Sequence, residues 1–226
     1  MDFNELIKEF AALHKQYADS YEHFNERAKE NDFRREYAKG GETLHRGFYS
    51  PSALDLVVSG SGRGRLLKRT PKCPFSYEYL FNADGRLVCV NKYSDFFDGV
   101  SRIVETEFLV YESNEVLAFA YNLLHGNNLC FISKCKYENS NIVCYETASF
   151  PIPEKSDCYE INVEEFGYEN GLMCADRWTY YFPITGLMHQ DEYSFIRNDE
   201  GYITSFIDKP LNKPTFGPYK ALVKRK

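Results

Sequence analysis

Between residues 76 and 208 one pattern recurs five times: an aromatic-rich run, a polar turn of three to five residues, then a second run with apolar residues. Unit one is Tyr77–Phe81, a turn at 82–86, then Leu87–Val90. Unit two is Glu107–Tyr111, a turn at 112–115, then Val116–Tyr121. Unit three is Phe131–Tyr137, a turn at 138–141, then Ile142–Tyr145. Unit four ends its first run at Phe166–Tyr168, turns at 169–171, then runs Leu172–Ala175. Unit five is Tyr193–Ile196, a turn at 197–201, then Tyr202–Phe206. The anchors Phe81, Tyr111, Tyr137, Tyr168 and Ile196 are 30, 26, 31 and 28 residues apart. Short turns rich in Asn, Asp and Gly between such runs are hairpin connections, and their recurrence outweighs any single strand assignment. The 18 Tyr and 18 Phe favour the same half-buried pleated surfaces.

The two runs of a unit differ. First runs alternate, with Tyr77, Tyr79 and Phe81 set against Ser76 and Glu78, as strands with one dry face do. Second runs of the first four units are continuously apolar, which suits strands covered on both faces. Something must therefore cover the sheet's second face: either the N-terminal helix or curling into a barrel or sandwich.

Ahead of the units, Phe3, Leu6, Ile7, Phe10, Leu13, Tyr17, Tyr21 and Phe24 recur every three or four residues and form the stripe of an amphipathic helix. Asp2 and Glu5 have capping-box spacing. Asn31-Asp32 allows a break, after which a shorter helix is predicted to run to Lys39 and stop at Gly40-Gly41. The fold class is thus α+β, mostly β: N-terminal helices packed on a large antiparallel sheet of five sequential hairpins. The expected divisions are a helical segment 1–40, a connector 41–75, the hairpin domain 76–208 and a basic, Pro-containing, loop-like tail 209–226. Within the connector, Leu54–Val58 reads as a short strand and residues 59–65 as a flexible basic turn. Its glycines lack the Gly-Lys-Ser/Thr and following helix of a phosphate loop. The interruption at 176–192 reads as an extra strand or an aromatic lid.

Charge is distributed unevenly. The net −6 becomes −15 once nine cations in 63–72 and 220–226 are set aside, an acidic bulk that argues against general nucleic-acid binding and favours a basic protein partner. No apolar run reads as an export signal or a membrane span, and the seven cysteines include no C-x-x-C pair, so a cytoplasmic location with reduced thiols is expected.

The search for chemistry returns little. Cys89, Cys144 and Cys174 hold one slot in units one, three and four, filled by Ala118 and Thr204 in the others. Corresponding strands of adjacent hairpins lie about 9.5 Å apart, too far for a disulfide or shared metal. A small buried residue is the expected requirement. Cys130 and Cys135 face opposite ways on one strand. His14 reads as a packing residue, while His125 and His189 sit between units. The acid clusters Asp95/Asp98, Glu105/Glu107, Glu164/Glu165 and Asp191/Glu192 read as solvated loop charge. We therefore expect no catalytic residue, no metal and no cofactor. The segment Asp95-Phe96-Phe97-Asp98 mixes aromatic anchors with steering acids, and with Asp191 and Glu192 gives the expected contacts for a partner: Asp95, Phe96, Asp98, Asp191 and Glu192.

Unit one, Tyr77-Glu78-Tyr79-Leu80-Phe81-Asn82-Ala83-Asp84-Gly85-Arg86-Leu87, resembles the YD-type hairpin repeat of RHS shells, with Phe81-Asn82 where that family has Tyr-Asp. The likeness covers about eleven residues, and the chain is too short to encapsulate anything. In charge, expected compartment and missing active site it is similar to immunity proteins that block bacterial polymorphic toxins. That likeness implies a non-enzymatic inhibitor of a basic toxin or nuclease. Two alternatives stay open: a β-barrel or cup holding an apolar small molecule, and an enzyme with a dispersed His/carboxylate site at His125 or His189.

Overall fold

The computed structural model describes residues 2–39, 52, 65–69, 75–95, 100–151, 158–201, 203–210 and 216–220. Two helices come first, α1 (Phe3–Tyr17) and α2 (Tyr21–Glu30), broken at Ala18–Ser20 rather than at Asn31 alone. The Asp2 carboxylate caps α1 by accepting from Asn4 N–H at 2.9 Å, whereas Glu5 turns outward to Lys8 at 2.7 Å, so only half of the expected capping box forms.

Thirteen strands follow among the described residues: β1 (Arg34–Lys39), β2 (Arg65–Leu66), β3 (Tyr77–Phe81), β4 (Leu87–Asp95), β5 (Ser101–Tyr111), β6 (Glu115–Asn122), β7 (Asn128–Glu138), β8 (Asn141–Ser149), β9 (Glu160–Glu169), β10 (Leu172–Phe182), β11 (Leu187–Arg197), β12 (Ile203–Pro210) and β13 (Phe216–Lys220). They form one antiparallel sheet in which β3 to β13 lie in sequence order, with β1 and then β2 added beyond β3. The five predicted hairpins are present as β3–β4, β5–β6, β7–β8, β9–β10 and β11–β12, and each also pairs with the next. The β9–β10 turn shows why its residues were informative: Asn170 and Gly171 both take positive φ, 51° and 76°, as a two-residue hairpin turn requires.

Three expectations are corrected. Residues 34–39 form β1 rather than a second helix, because pairing with β3 from Arg34–Phe81 to Ala38–Tyr77 overrides local propensity. Residues 176–192 are no interruption: β10 and β11 pair from Ala175–Ser194 to Phe182–Leu187, lengthening the strands of units four and five. Residues 216–220 of the tail form the edge strand β13. The strand reading at Leu54–Val58 and the glycine-rich turn before Arg65 lie outside the described residues.

Both faces of the middle strands carry buried side chains, in keeping with the continuous apolar runs. On one face the helices lie over the middle strands. Phe10 is fully buried, and the Phe24 ring stacks on Phe108 and Phe119, each with centroids 5.5 Å apart. Tyr17 meets Phe119 at 4.5 Å, and Phe3 meets Tyr181 on β10 at 4.9 Å. Tyr121 OH donates to the Tyr17 carbonyl at 2.6 Å, and His14, on the buried side of α1, bonds the Leu129 carbonyl at 3.1 Å. On the other face a second core runs through Tyr79, Phe81, Val90, Ala118, Cys135 and Tyr145. Two unit anchors share a bond there: Tyr111 OH donates to Leu87 O at 2.9 Å and Tyr168 OH to Ile142 O at 2.8 Å. In each case the anchor ties its unit to the first residues of the preceding strand.

One cation is buried beneath α1. Lys134 on β7 is 2% exposed; its Nζ bonds Glu9 of α1 and lies 3.1 Å from Glu146 on β8, which also holds Lys136 at 2.7 Å. Burial opposes the ammonium, but the Glu9 and Glu146 carboxylates overcome it and hold the Lys134 pKa above the ordinary lysine value. Removing one partner of a buried pair leaves an uncompensated charge. We expect Lys134→Met to lower the unfolding free energy in urea by about 3 kcal/mol, and Lys134→Met with Glu146→Leu to recover most of it. A loss below about 1 kcal/mol for the single substitution would mean the pair is merely superficial.

Candidate functional site

The acids singled out by sequence do not form one exposed patch. Asp95 ends β4, while Phe96 and Asp98 lie outside the described residues. Asp191 and Glu192 sit in mid-strand on β11, not in a loop, and point to opposite faces. Glu192, on the helix side, lies 3.6 Å from Arg177 and 3.5 Å from Lys209. Asp191 is 8% exposed and accepts from His189 Nε2 at 2.8 Å and Tyr193 OH at 3.3 Å.

On the face away from the helices, Asp191 belongs to an array the sequence reading missed. Glu164 on β9 and Asp191 on β11 stand opposite Trp178 of β10, whereas Asp176 of β10 and Asp208 of β12 stand opposite Tyr193 of β11. Four carboxyl groups thus zigzag across four adjacent strands around two aromatic rings. Glu164 is 5% exposed and Asp176 is fully buried. Both oxygens of Asp176 lie beyond reach of any N–H or O–H donor among the described residues. Its polar neighbour is the Glu164 carboxyl, and two carboxyl groups can bond only by sharing a proton. Burial accordingly pushes the Asp176 pKa up to about 7. Burial, with Asp191 and Asp208 nearby, likewise keeps the Tyr193 phenol protonated. The missed signal was alternation: 176 and 178, or 191 and 193, share a face once β10 and β11 are recognised as strands.

Beside the array the β10–β11 hairpin carries an aromatic row. Trp178, Tyr180 and Phe182 follow one another with centroids 5.7 and 4.4 Å apart, and the Trp178 indole N–H donates to Asn162 at 3.2 Å. His189 meets Trp178 edge-on at 5.6 Å, and Tyr159 meets Phe182 edge-on at 6.1 Å. Past the row the hairpin tip projects Ile184, Leu187 and Met188, which are 71%, 60% and 51% exposed.

His125, the other histidine considered, lies in a single 3-10 turn, Leu123–His125. Cys89, Cys130, Cys135, Cys144, Cys158 and Cys174 are free thiols, and burial raises the pKa of Cys89 and Cys135, which suppresses thiolate chemistry there. Among the described residues no group of three or more His, Cys, Asp or Glu is arranged to hold a metal ion. No helix among them is long and apolar enough to cross a membrane.

No family model and no curated protein matches the chain. One solved structure, a protein of unknown function from Bacteroides fragilis, aligns at 12% identity over 53% of this chain and 89% of its own, with a TM-score of 0.39. A likeness of that size carries no argument about fold or function.

The shared proton makes a signed prediction. The native pair keeps a proton that an unfolded aspartate releases near pH 4, so stability falls as pH rises from about 4 through about 7. Asp176→Asn removes that cost and gives Glu164 an amide donor. We expect it to raise the unfolding free energy by roughly 2 kcal/mol at pH 8 and by far less at pH 5. Equal effects at the two pH values in urea titrations would exclude the shared proton.

Proposed function

We propose that the chain is a non-enzymatic, protein-binding module of the immunity type that engages a basic partner through the β10–β11 hairpin. The observation that carries this reading is the exposed hairpin tip Ile184, Leu187 and Met188, with Leu187 paired to Phe182 on one face and Met188 to Tyr181 on the other. Single exposed apolar residues are ordinary, but three on one projecting tip offer anchors for a partner, and aromatics and Met are enriched in contact surfaces. The net charge of −6 supplies long-range attraction for a basic protein, with Asp95, Phe96, Asp98, Asp191 and Glu192 contributing steering or rim contacts. Asp191 acts in this reading from within the buried array, and Glu192 through its half-exposed ion pairs.

A second reading, an enzyme with a His/carboxylate site, rests on the 2.8 Å bond between His189 and Asp191. It ranks below the first because the same bond orients a histidine on the aromatic row without any further role.

The test is position-specific photo-cross-linking in lysate from the protein's own cells. A photoreactive residue replaces Ile184 or, as a control, the equally exposed Phe33. We expect one basic protein to be linked from position 184 only, with the adduct lost in high salt and in Leu187→Asp. Identical adducts from both positions, or none from 184, would overturn the reading. His189→Ala leaves the adduct intact if binding rather than catalysis is the function.

A further inference from the structure

Several described cations of this acidic chain have carboxylate partners. Arg34 and Arg35 pair with Glu36 and Asp32, Arg177 with Glu165 and Glu192, and Lys134 with Glu9 and Glu146. Arg27 and Arg86 differ. Neither forms an ion pair with any described acid, and the two side chains line one cavity of about 170 Å³ between the end of α2 and strands β4 and β5.

The cavity has an apolar floor and a cationic rim. Phe24 and Ala28 of α2, Val88 of β4 and Phe108 of β5 form the floor. The small Ala28 side chain leaves the space, because a larger residue there would fill it against the sheet. At the rim the Arg86 guanidinium lies over the Tyr111 ring, 5.3 Å from its centroid, and the Tyr111 hydroxyl is fixed on Leu87 O. Asn82 accepts the Arg86 backbone N–H through Oδ1 at 2.9 Å, which leaves its amide donors free to face a ligand. Arg27 stands in the last turn of α2, where a cation offsets the helix dipole. That role accounts for one arginine but not for the convergence of two. The carbonyl end of α2 opposes an anion with about half a charge, against two full guanidinium charges, and Asn31 Nδ2 already occupies the Arg27 carbonyl at 2.7 Å.

We infer that this cavity is a binding site for a small carboxylic acid with an apolar body, its carboxylate held between Arg27 and Arg86. Size sets the body: an apolar cavity of about 150 Å³ accommodates a benzene ring, and this one is comparable. Chemistry sets the head: guanidinium forks match a carboxylate bidentately. The volume falls short of the roughly 300 Å³ or more of drug-sized pockets, which excludes the large apolar ligand of a β-cup at this place. The site lies five strands from the β10–β11 hairpin, about 24 Å along the sheet, and does not depend on the partner surface.

The probe is phenylacetate, titrated calorimetrically into the full chain, with benzyl alcohol as the uncharged comparison. Both arginines are exposed, so Arg27→Gln and Arg86→Gln are expected to fold with an unchanged unfolding curve. We expect phenylacetate to bind with a dissociation constant of about 1 mM or tighter, benzyl alcohol at least about tenfold more weakly, and each variant about tenfold more weakly than the parent. Absence of binding at about 10 mM phenylacetate, or equal affinity in the double variant Arg27→Gln/Arg86→Gln, would overturn the inference.

Discussion

The contact on which the rest depends is the insertion of the helix aromatics into the middle of the sheet. Phe10 and Phe24 cover Phe108, Phe119 and Ile132, side chains that would otherwise present a continuous apolar face to water. Each fully buried side chain of this size contributes about 2–3 kcal/mol, so the stripe from Phe3 to Phe24 is what makes a one-layer meander stable in its centre. The buried Lys134 depends on the same contact. Its ammonium is tolerated because α1 brings Glu9 over it and the Phe10 ring lies 5.6 Å away. The Glu9–Lys134 pair therefore forms only with α1 docked, while Glu146 holds the same ammonium from within the sheet.

The open meander also explains how its edges are treated. At the far edge β13 contains Pro218 and at the near edge β2 is two residues long, both of which blunt further pairing. Between these edges the second face is held by a different device. Tyr111 and Tyr168 reach from one hairpin to the first residues of the strand before, so the aromatic anchors of the repeat serve register as well as packing.

Much of this was legible. The anchors at 81, 111, 137, 168 and 196 located all five hairpins because Asn, Asp and Gly turns report backbone conformation directly. The helix stripe located the helical segment because spacing reports a shared face, but it did not show the break at Ala18–Ser20. What stayed hidden depended on pairing between distant segments. Arg34-Arg35-Glu36-Tyr37-Ala38-Lys39 has no strand periodicity, and only the exposed edge of β3 makes it one. The carboxyl array was hidden for the same reason. Glu164 and Asp191 read as solvated charge until β9, β10 and β11 are extended to their true lengths, at which point alternation places them with Asp176 on one buried face. The exposed tip at Ile184 was invisible while 176–192 was taken as a single interruption. Acid runs in a sequence report net charge, whereas burial depends on which strand supplies the neighbour.

These elements divide the molecule into a stabilised centre and two less covered regions, the hairpin tip on β10–β11 and the cationic cavity beside α2. Native-state hydrogen exchange read by mass spectrometry tests that division most directly. The account predicts the slowest exchange in β5 to β8 and in α1, with β12 and β13 exchanging fastest among the strands. Uniform protection across the sheet, or slowest exchange in β10 to β13, would contradict the central place given to the helix–sheet contact.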